Sequence, residues 1–287
     1  MKNTLKTVFL MTLMMVLFLF IGEMIGGKTG LTYALLFSVV MNFFAYWFSD
    51  KMVLASYHAK QVTEAEAPQL YAMVHRLATR ANIPMPKLYM IPTDTPNAFA
   101  TGRNPQHAAV AVTQGIMRIV NEDELEAVIG HELSHVIHRD ILTSTIVATF
   151  AGAIAYLAQM LSWSLFFFGG GGRGRDEDSS LIGELFIIIV APLAAMLIQM
   201  AVSRSREYKA DEGGAKLSMK PLSLASALKK LEKGAQQMPM QTQPSTAHLF
   251  IVNPLTAQRF ARLFSTHPPT EERIARLEAL ATGKNLY

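Results

Sequence analysis

Long apolar segments alternate along the chain with stretches in which polar and apolar residues mix. Four segments stay apolar over about the 20 residues that a helix needs to cross a lipid bilayer. They cover about residues 7–24, 31–48, 141–168 and 181–202. The pattern predicts an N-terminal transmembrane hairpin within residues 1–49 and a second transmembrane hairpin over residues 141–202.

The first apolar segment also has features of a signal peptide, because Lys2 and Lys6 precede a short apolar core. No cleavage site with small residues follows this core. Instead, the chain reads GEMIGGKTG and then enters the next apolar segment. We interpret the first segment as an uncleaved transmembrane span.

The distribution of basic residues predicts the direction of the spans. Among residues 22–30 only Lys28 is basic, and residues 169–180 hold two Arg against three acidic residues. Most of the chain's 26 Lys and Arg lie elsewhere. Because Lys and Arg are enriched on the cytoplasmic side of membrane proteins, we expect both termini, residues 50–140 and residues 203–287 to be cytoplasmic.

These two cytoplasmic stretches face the same compartment, so they can fold into one domain. Within them, HAAVAVT at residues 107–113 is rich in small and β-branched residues and follows a turn at residues 102–105, which predicts a strand. PTEERIARLEALATG at residues 269–283 predicts an amphipathic helix. The expected fold is a predominantly α-helical membrane protein with four transmembrane helices and a cytoplasmic α+β domain that carries a small β-sheet.

The composition agrees with a membrane protein and limits its chemistry. Hydrophobic residues make up 51% of the chain and charged residues only 17%. The chain has no cysteine, which excludes disulfides and thiolate metal sites, so a bound metal must use His, Asp or Glu. The net charge of +4 is modest, and no basic stripe interleaved with aromatic residues indicates a nucleic-acid partner.

The sequence NEDELEAVIGHELSHVIHRD predicts a helix with metal-binding side chains. Asn121 is a favourable N-cap, and Glu124 completes a capping box with it. His131 and His135 are four residues apart, so both imidazoles project from one helix face and can reach a single ion. Glu132 lies close enough to act on a water at that ion. This is the H-E-x-x-H pattern of zinc peptidases, in which the glutamate is the general base.

A third histidine, His138, lies near the same face but roughly 10 Å along the helix axis from His131. One ion cannot be reached by both side chains, so we expect His138 to be a neighbour of the metal and not a ligand. The alternative interpretation of the whole motif is a solvated helix with surface histidines.

A catalytic zinc takes three protein ligands and leaves one position for water. The stretch SRSREYKADEGGAK follows the fourth predicted span and places Glu207 and Asp211 four residues apart. His135 precedes the third span and Glu207 follows the fourth at nearly equal distances, so both stand roughly 7–9 Å above one membrane surface. We expect Glu207 to be the third ligand and Asp211 to orient a ligand histidine, most simply His131. The alternative is an ordinary charged cap on the fourth span.

Together, HELSH, the membrane hairpin that follows it and EYKAD resemble the M48 family of zinc metallopeptidases, in particular its bacterial heat-shock membrane proteases. NAFATG at 97–102, AVTQGIM at 111–117 and STHPP at 265–269 extend the resemblance over nearly the whole chain. The resemblance implies a zincin-like catalytic domain with one Zn²⁺ per chain. It also implies a zinc endopeptidase of the bacterial inner membrane, with a cytoplasmic active site and misfolded or damaged membrane proteins as substrates.

The same resemblance implies roles for residues outside the two helices. It implies His267 as a donor to the developing oxyanion, with Arg273 supporting it, and Asn97 as a contact for the substrate backbone. Tyr208, which adjoins Glu207, is a second candidate for the oxyanion donor. From the residues alone, His267 also fits an ordinary loop histidine and Asn97 a turn residue.

Peptide hydrolysis requires that the substrate be held extended. If the strand at 107–113 lies at a sheet edge, it can pair with a substrate backbone and read little of its sequence. The expected partners are unfolded or membrane-protein substrates bound as extended strands, and the lipid bilayer. No oligomeric state is predicted.

Other functions fit parts of the sequence. A zinc hydrolase of non-peptide membrane substrates, such as lipid head groups, would also lie at the membrane, but it would not need the edge strand. A non-catalytic membrane adaptor with a structural metal would fill all four metal positions and would need no general base such as Glu132. A transporter is not favoured, because the spans lack a charge relay.

Overall fold

A computed structural model describes residues 2–150, 204–237, 249–251 and 268–283 of the protein. Its elements in chain order are α1 Thr4–Glu23, α2 Gly26–Ser56, β1 Lys60–Gln61, α3 Pro68–Arg80, β2 Lys87–Ile91, β3 Ala98–Gly102, a 3₁₀ helix Pro105–His107, β4 Ala108–Thr113, α4 Gln114–Ile119, α5 Glu122–Ile137, α6 Ile141–Phe150, α7 Arg204–Ser218, α8 Pro221–Gln237 and α9 Thr270–Ala281. The described part is mostly helical with one small sheet, as predicted. The predicted span over 181–202 and most of the span over 141–168 lie outside the described residues.

The first two helices fold back on each other as the predicted hairpin. They belong to one helical run, Lys2–Ser56, which is broken at Gly26 and Gly27. Gly22 and Gly30 allow the two backbones to touch, because a Cβ on Gly30 would lie 2.1 Å from the Gly22 carbonyl oxygen. Both helices are long and apolar enough to cross a membrane, and about half of their large apolar side chains are exposed. Two of the four predicted spans are thus present as candidate membrane helices.

Helix α6, the beginning of the third predicted span, lies between this hairpin and the sheet. Its Thr143 hydroxyl is 3.0 Å from the Thr7 hydroxyl of α1, and its Thr145 hydroxyl is 3.0 Å from the Thr101 hydroxyl of β3. Apolar side chains of α1, α2 and α6 form one buried cluster: Leu10, Met14, Phe18, Ala45, Ile146, Val147 and Phe150. The N-terminal hairpin is therefore packed directly against the helix that follows the metal motif.

The sheet has the strand order β1-β2-β4-β3. Strand β4 pairs in parallel with β2 and antiparallel with β3, so it lies inside the sheet. This corrects the prediction that the strand at 107–113 is an edge. The reason is visible in its sequence, because five of the six residues of AAVAVT are apolar and all six are buried, as is typical of a strand covered on both faces. The edge beside the metal motif is β3.

The helices outside the N-terminal hairpin share one hydrophobic core with the sheet. Side chains from residues 70–141 and from residues 215–277 contribute to it, so both predicted cytoplasmic stretches supply one core. Helix α5 begins with the predicted capping box, in which Asn121 Oδ1 accepts from Glu124 N–H and Glu124 Oε2 accepts from Asn121 N–H. An N-cap of this kind stabilises a helix by about 1 kcal/mol.

Helices α5 and α7 cross at very short distance where both carry glycine. A Cβ on Gly214 would lie 2.5 Å from the His131 backbone nitrogen, and a Cβ on Gly130 would lie 2.9 Å from the Gly214 carbonyl oxygen. Any larger side chain at these positions would push the helices apart. This crossing fixes the distance between the two helices that carry the metal motif.

Candidate metal centre

Helix α5 presents His131 and His135 to Glu207 of α7, and it presents Glu132 to β3. The His131 and His135 rings meet edge to face with centroids 4.9 Å apart, as the four-residue spacing predicts. His131 and Glu132 are buried, and the His135 side chain is 17% exposed. The histidines are therefore not the surface histidines of a solvated helix.

Helix α7 adds Glu207 to this pair. Glu207 Oε2 lies 3.8 Å from His131 Nε2, and Glu207 Oε1 lies 3.6 Å from His135 Nε2. One ligand atom from each of the three residues lies within 4.8 Å of the others. His131 Nε2 is buried and has no hydrogen-bond partner among the described residues. An inward-facing imidazole nitrogen without a partner, beside a second imidazole and a carboxylate, fits a metal ion.

A buried ion pair contacts His131 at Nδ1, the ring nitrogen that does not face Glu207. Asp211 Oδ1 lies 2.9 Å from His131 Nδ1. Arg273 of α9 donates to both Asp211 oxygens, at 2.8 and 2.7 Å. Burial lowers the pKa of His131, and although burial acts to raise the pKa of Asp211, the Arg273 guanidinium holds it below its usual value. The Asp211 carboxylate therefore stays charged and holds the neutral His131 with Nε2 turned inward.

His135 has a carboxylate behind it as well, and it comes from a residue that the sequence analysis did not single out. Asp140 Oδ2 lies 3.5 Å from His135 Nδ1, and Asp140 Oδ1 lies 3.6 Å from Arg206 Nη1. Asp140 is buried. The available signal was an aspartate placed between a metal-motif helix and an apolar span, where a charge needs a partner.

The acid–base properties of Glu132 and His135 differ from those of exposed side chains. Burial raises the pKa of Glu132 to about 8. Burial acts to lower the pKa of His135, but the Asp140 hydrogen bond and the charges of Glu207 and Glu132 outweigh it and raise that pKa to about 9. Without a metal, the His135 imidazole is therefore protonated at neutral pH.

Strand β3 is the last strand of the described sheet, and its outer edge borders the metal centre. Alternate residues of an edge strand turn their backbone groups away from the neighbouring strand. The Ala100 N–H donates to Glu132 Oε2 at 2.9 Å, and the Ala98 carbonyl accepts from the Ile251 N–H at 3.3 Å. Ile251 also accepts from Arg273 Nη1 at 2.9 Å. The outward backbone groups of β3 thus lie beside Glu132.

The other predicted site residues lie around this centre. Asn97, directly before β3, is buried, and its Oδ1 accepts from the Ala98 N–H at 3.1 Å. Tyr208 faces α9, where the Arg276 guanidinium lies 3.7 Å from its ring centre. His138 lies beyond the metal group, with Nδ1 3.3 Å from Ser134 Oγ. His267 lies outside the described residues.

Comparisons with known proteins agree with this geometry. Residues 64–281 match the sequence profile of Peptidase family M48. A protein of Thermodesulfovibrio yellowstonii named Protease HtpX homolog is 59% identical over 279 residues, which cover 97% of this chain and 99% of the relative. A Protease HtpX homolog of Thermococcus sibiricus is 54% identical over 90% of this chain and 89% of its own length.

A similar match comes from Burkholderia cenocepacia, whose Protease HtpX homolog is 54% identical over 89% of both chains. Among solved structures, the crystal structure of S. mikatae Ste24p matches with a TM-score of 0.53 and 19% identity. This match covers 96% of the present chain and 66% of that one, and it is a similarity of fold.

Proposed function

Because the chain belongs to peptidase family M48, we propose that it is a membrane-bound zinc endopeptidase that holds its metal with His131, His135 and Glu207 and uses Glu132 as general base. The observation that carries this proposal is the buried Glu132 carboxylate, which lies between the three-residue metal group and the outward edge of β3. A structural metal site would not need a base at that position.

The donor set supports zinc as the metal. Two imidazoles and one carboxylate form a common class of catalytic zinc site with one open position, and M48 metallopeptidases depend on zinc in general. A zinc ion held here would supply a Lewis acid that polarises the peptide carbonyl and acidifies water.

Glu132 would carry the proton during hydrolysis. In the metal-free site burial raises its pKa to about 8, so this carboxylate is placed in surroundings where it both accepts and returns a proton. The carboxylate would take the proton of the attacking water and deliver it to the leaving amine. The Ala100 N–H holds Oε2 in place during both steps.

The substrate would bind as an extended strand along β3. Its outward Ala100 N–H binds Glu132 and the Ala98 carbonyl lies two residues away on the same edge, so a peptide paired with this edge would place a peptide bond near the base. Pairing through the backbone makes the enzyme depend little on the side-chain sequence of its substrate. Such low selectivity suits a protease that degrades misfolded or damaged membrane proteins. We further infer His267 as the oxyanion donor, testable by a loss of kcat in His267→Ala without a loss of zinc.

We place residues 50–140 and 203–287, both termini and the active site in the cytoplasm, with the protein in the bacterial inner membrane. The shared core and the distribution of basic residues support this topology. Since the chain has no cysteine, single cysteines at Glu64 and Lys28 can be labelled in intact cells with an impermeant maleimide. Only the Lys28→Cys variant is expected to react, and the reverse pattern would invert the topology.

The enzymatic proposal is tested with full-length protein in detergent: wild type, Glu132→Gln and the control Glu126→Gln. Glu126 is another buried carboxylate of α5, but it pairs with Lys220 and Arg76. All three are expected to bind about one zinc, and only Glu132→Gln should lose digestion of an unfolded protein, by roughly 100-fold or more.

Two results would count against the proposal. Zinc bound by all variants with no digestion of soluble or membrane substrates would favour the adaptor or the non-peptide hydrolase. A wild type that binds no zinc would overturn the metal assignment.

A further inference from the structure

The second metal-motif histidine is held by a residue at the junction between the soluble domain and a membrane helix. Asp140 lies between α5 and α6 and is only 5% exposed. Its carboxylate Oδ2 is 3.5 Å from His135 Nδ1, and its backbone N–H donates to the His135 carbonyl at 3.0 Å. Asp140 therefore contacts both the ring and the backbone of the same histidine.

A basic residue of the other metal-motif helix faces the second oxygen of this carboxylate. Arg206 Nη1 lies 3.6 Å from Asp140 Oδ1, and Arg206 directly precedes Glu207 in α7. The order imidazole, carboxylate, guanidinium is the same as in the group formed by His131, Asp211 and Arg273. In both histidines, Nδ1 thus faces the carboxylate of an Asp–Arg ion pair.

We propose that Asp140 is a positioning residue for His135, with Arg206 holding the carboxylate in place. A carboxylate behind Nδ1 keeps the proton on that nitrogen and leaves Nε2 free to bind metal. Since Nε2 of His135 faces Glu207 at 3.6 Å, this is the orientation that the metal group requires. The inference rests on the proposed function, because it assumes that His135 is a ligand.

The competing explanation is that Asp140 only caps α6. Its carbonyl accepts from the Ser144 N–H at 3.2 Å, and aspartate is a favourable residue before the first turn of a helix. Asparagine caps a helix as well as aspartate does, but it carries no charge. Asp140→Asn therefore keeps the capping role and removes the carboxylate from His135.

The test compares full-length, metal-depleted wild type, Asp140→Asn and Asp123→Asn in detergent. Asp123 is an exposed carboxylate at the other end of α5, paired with Lys220, and serves as the matched control. Zinc affinity is measured by competition with a chelator, and the visible spectrum is recorded with Co²⁺ in place of zinc. We expect Asp140→Asn to bind zinc about 10–100-fold more weakly and to shift the Co²⁺ bands, with an unchanged melting temperature of the metal-free protein.

Wild-type affinity and an unchanged Co²⁺ spectrum in Asp140→Asn would overturn the inference while leaving the proposed function intact. A wild type that binds neither metal would overturn both. Arg206→Gln is measured alongside, so that the inference is still tested if Asp140→Asn folds poorly. A several-fold weaker affinity is expected for it, and wild-type affinity would contradict the role of the pair.

Discussion

The backbone N–H of Ala100 donates a hydrogen bond to the Glu132 carboxylate, and this bond joins the edge of the sheet to the proposed general base. Because the bond favours the ionised carboxylate, it acts to lower the pKa of Glu132 against the larger effect of burial. Ala100→Pro removes the N–H from an edge position where proline is tolerated. The acid limb of the kcat/KM profile is expected to move to higher pH, with zinc content unchanged.

The control for this change is Ala100→Ser, which keeps the N–H and should keep the wild-type profile. An unchanged profile in Ala100→Pro, with zinc bound, would show that the bond does not tune the base.

Arg273 neutralises Asp211 inside the domain, so removing it leaves a buried carboxylate without a counter-charge. Arg273→Gln is expected to destabilise the protein by about 3–5 kcal/mol, measured by thermal unfolding in detergent. Arg276→Gln on the same helix is the control, because its ion pair with Glu272 is exposed and such pairs contribute less than about 1 kcal/mol. Equal losses in the two variants would contradict the role assigned to the buried pair.

The close crossing of α5 and α7 predicts a steric effect on metal binding. In Gly214→Ala the new Cβ would meet the His131 backbone nitrogen at 2.5 Å, so the helices must separate and carry Glu207 away from the histidines. Zinc affinity should fall by at least about tenfold, and stability by about 1–3 kcal/mol. Gly26→Ala, where no atom lies within 4 Å of the new Cβ, should change neither.

The raised pKa of His135 predicts how metal uptake depends on pH. Zinc binds the neutral imidazole, whereas the metal-free site favours the protonated form up to a pH of about 9. Apparent zinc affinity should therefore decrease about tenfold for each unit by which the pH falls below that value. Competition titrations at pH 7 and pH 8, corrected for protonation of the chelator, measure this slope, and a flat response would show that His135 binds metal without losing a proton.

The Ile251 N–H donates a hydrogen bond to the Ala98 carbonyl, which lies on the proposed substrate edge. Ile251→Pro removes this donor, while the residue keeps the carbonyl that accepts from Arg273. If substrate pairs with Ala98, the variant should have a lower KM at unchanged zinc content. Ile251→Val keeps the N–H and is the control. A KM equal to wild type in both variants would place substrate pairing elsewhere on β3.

The sequence predicted those features that depend on spacing within one helix. The capping box at Asn121, the pairing of His131 with His135 and the presence of Glu207 and Asp211 on one helix all follow from local periodicity. The sequence also predicted that α5 and α7 lie close together, because both helices adjoin predicted spans at similar distances.

The remaining features depend on contacts between distant parts of the chain. Strand order is set by pairing partners, so the sequence of β4 identified a strand but not its place inside the sheet. The ion pair of Arg273 with Asp211 joins residues 62 positions apart, and no local pattern indicates it. The sequence around Asp140 indicates only a helix boundary, whereas the role of Asp140 depends on the orientation of the His135 ring.

The hydroxyls of Thr101 and Thr145 share a hydrogen bond, so the strand proposed to hold substrate is held against α6, the beginning of the third predicted span. A protease domain joined to its membrane anchor by a flexible linker could reach substrates throughout the volume around that anchor. Among the described residues no such linker separates β3, α6 and the N-terminal hairpin, because they pack as neighbours. If the hairpin crosses the bilayer as we propose, the active site would work only in a thin layer at the bilayer surface, and a polypeptide would have to be delivered into that layer to be cut.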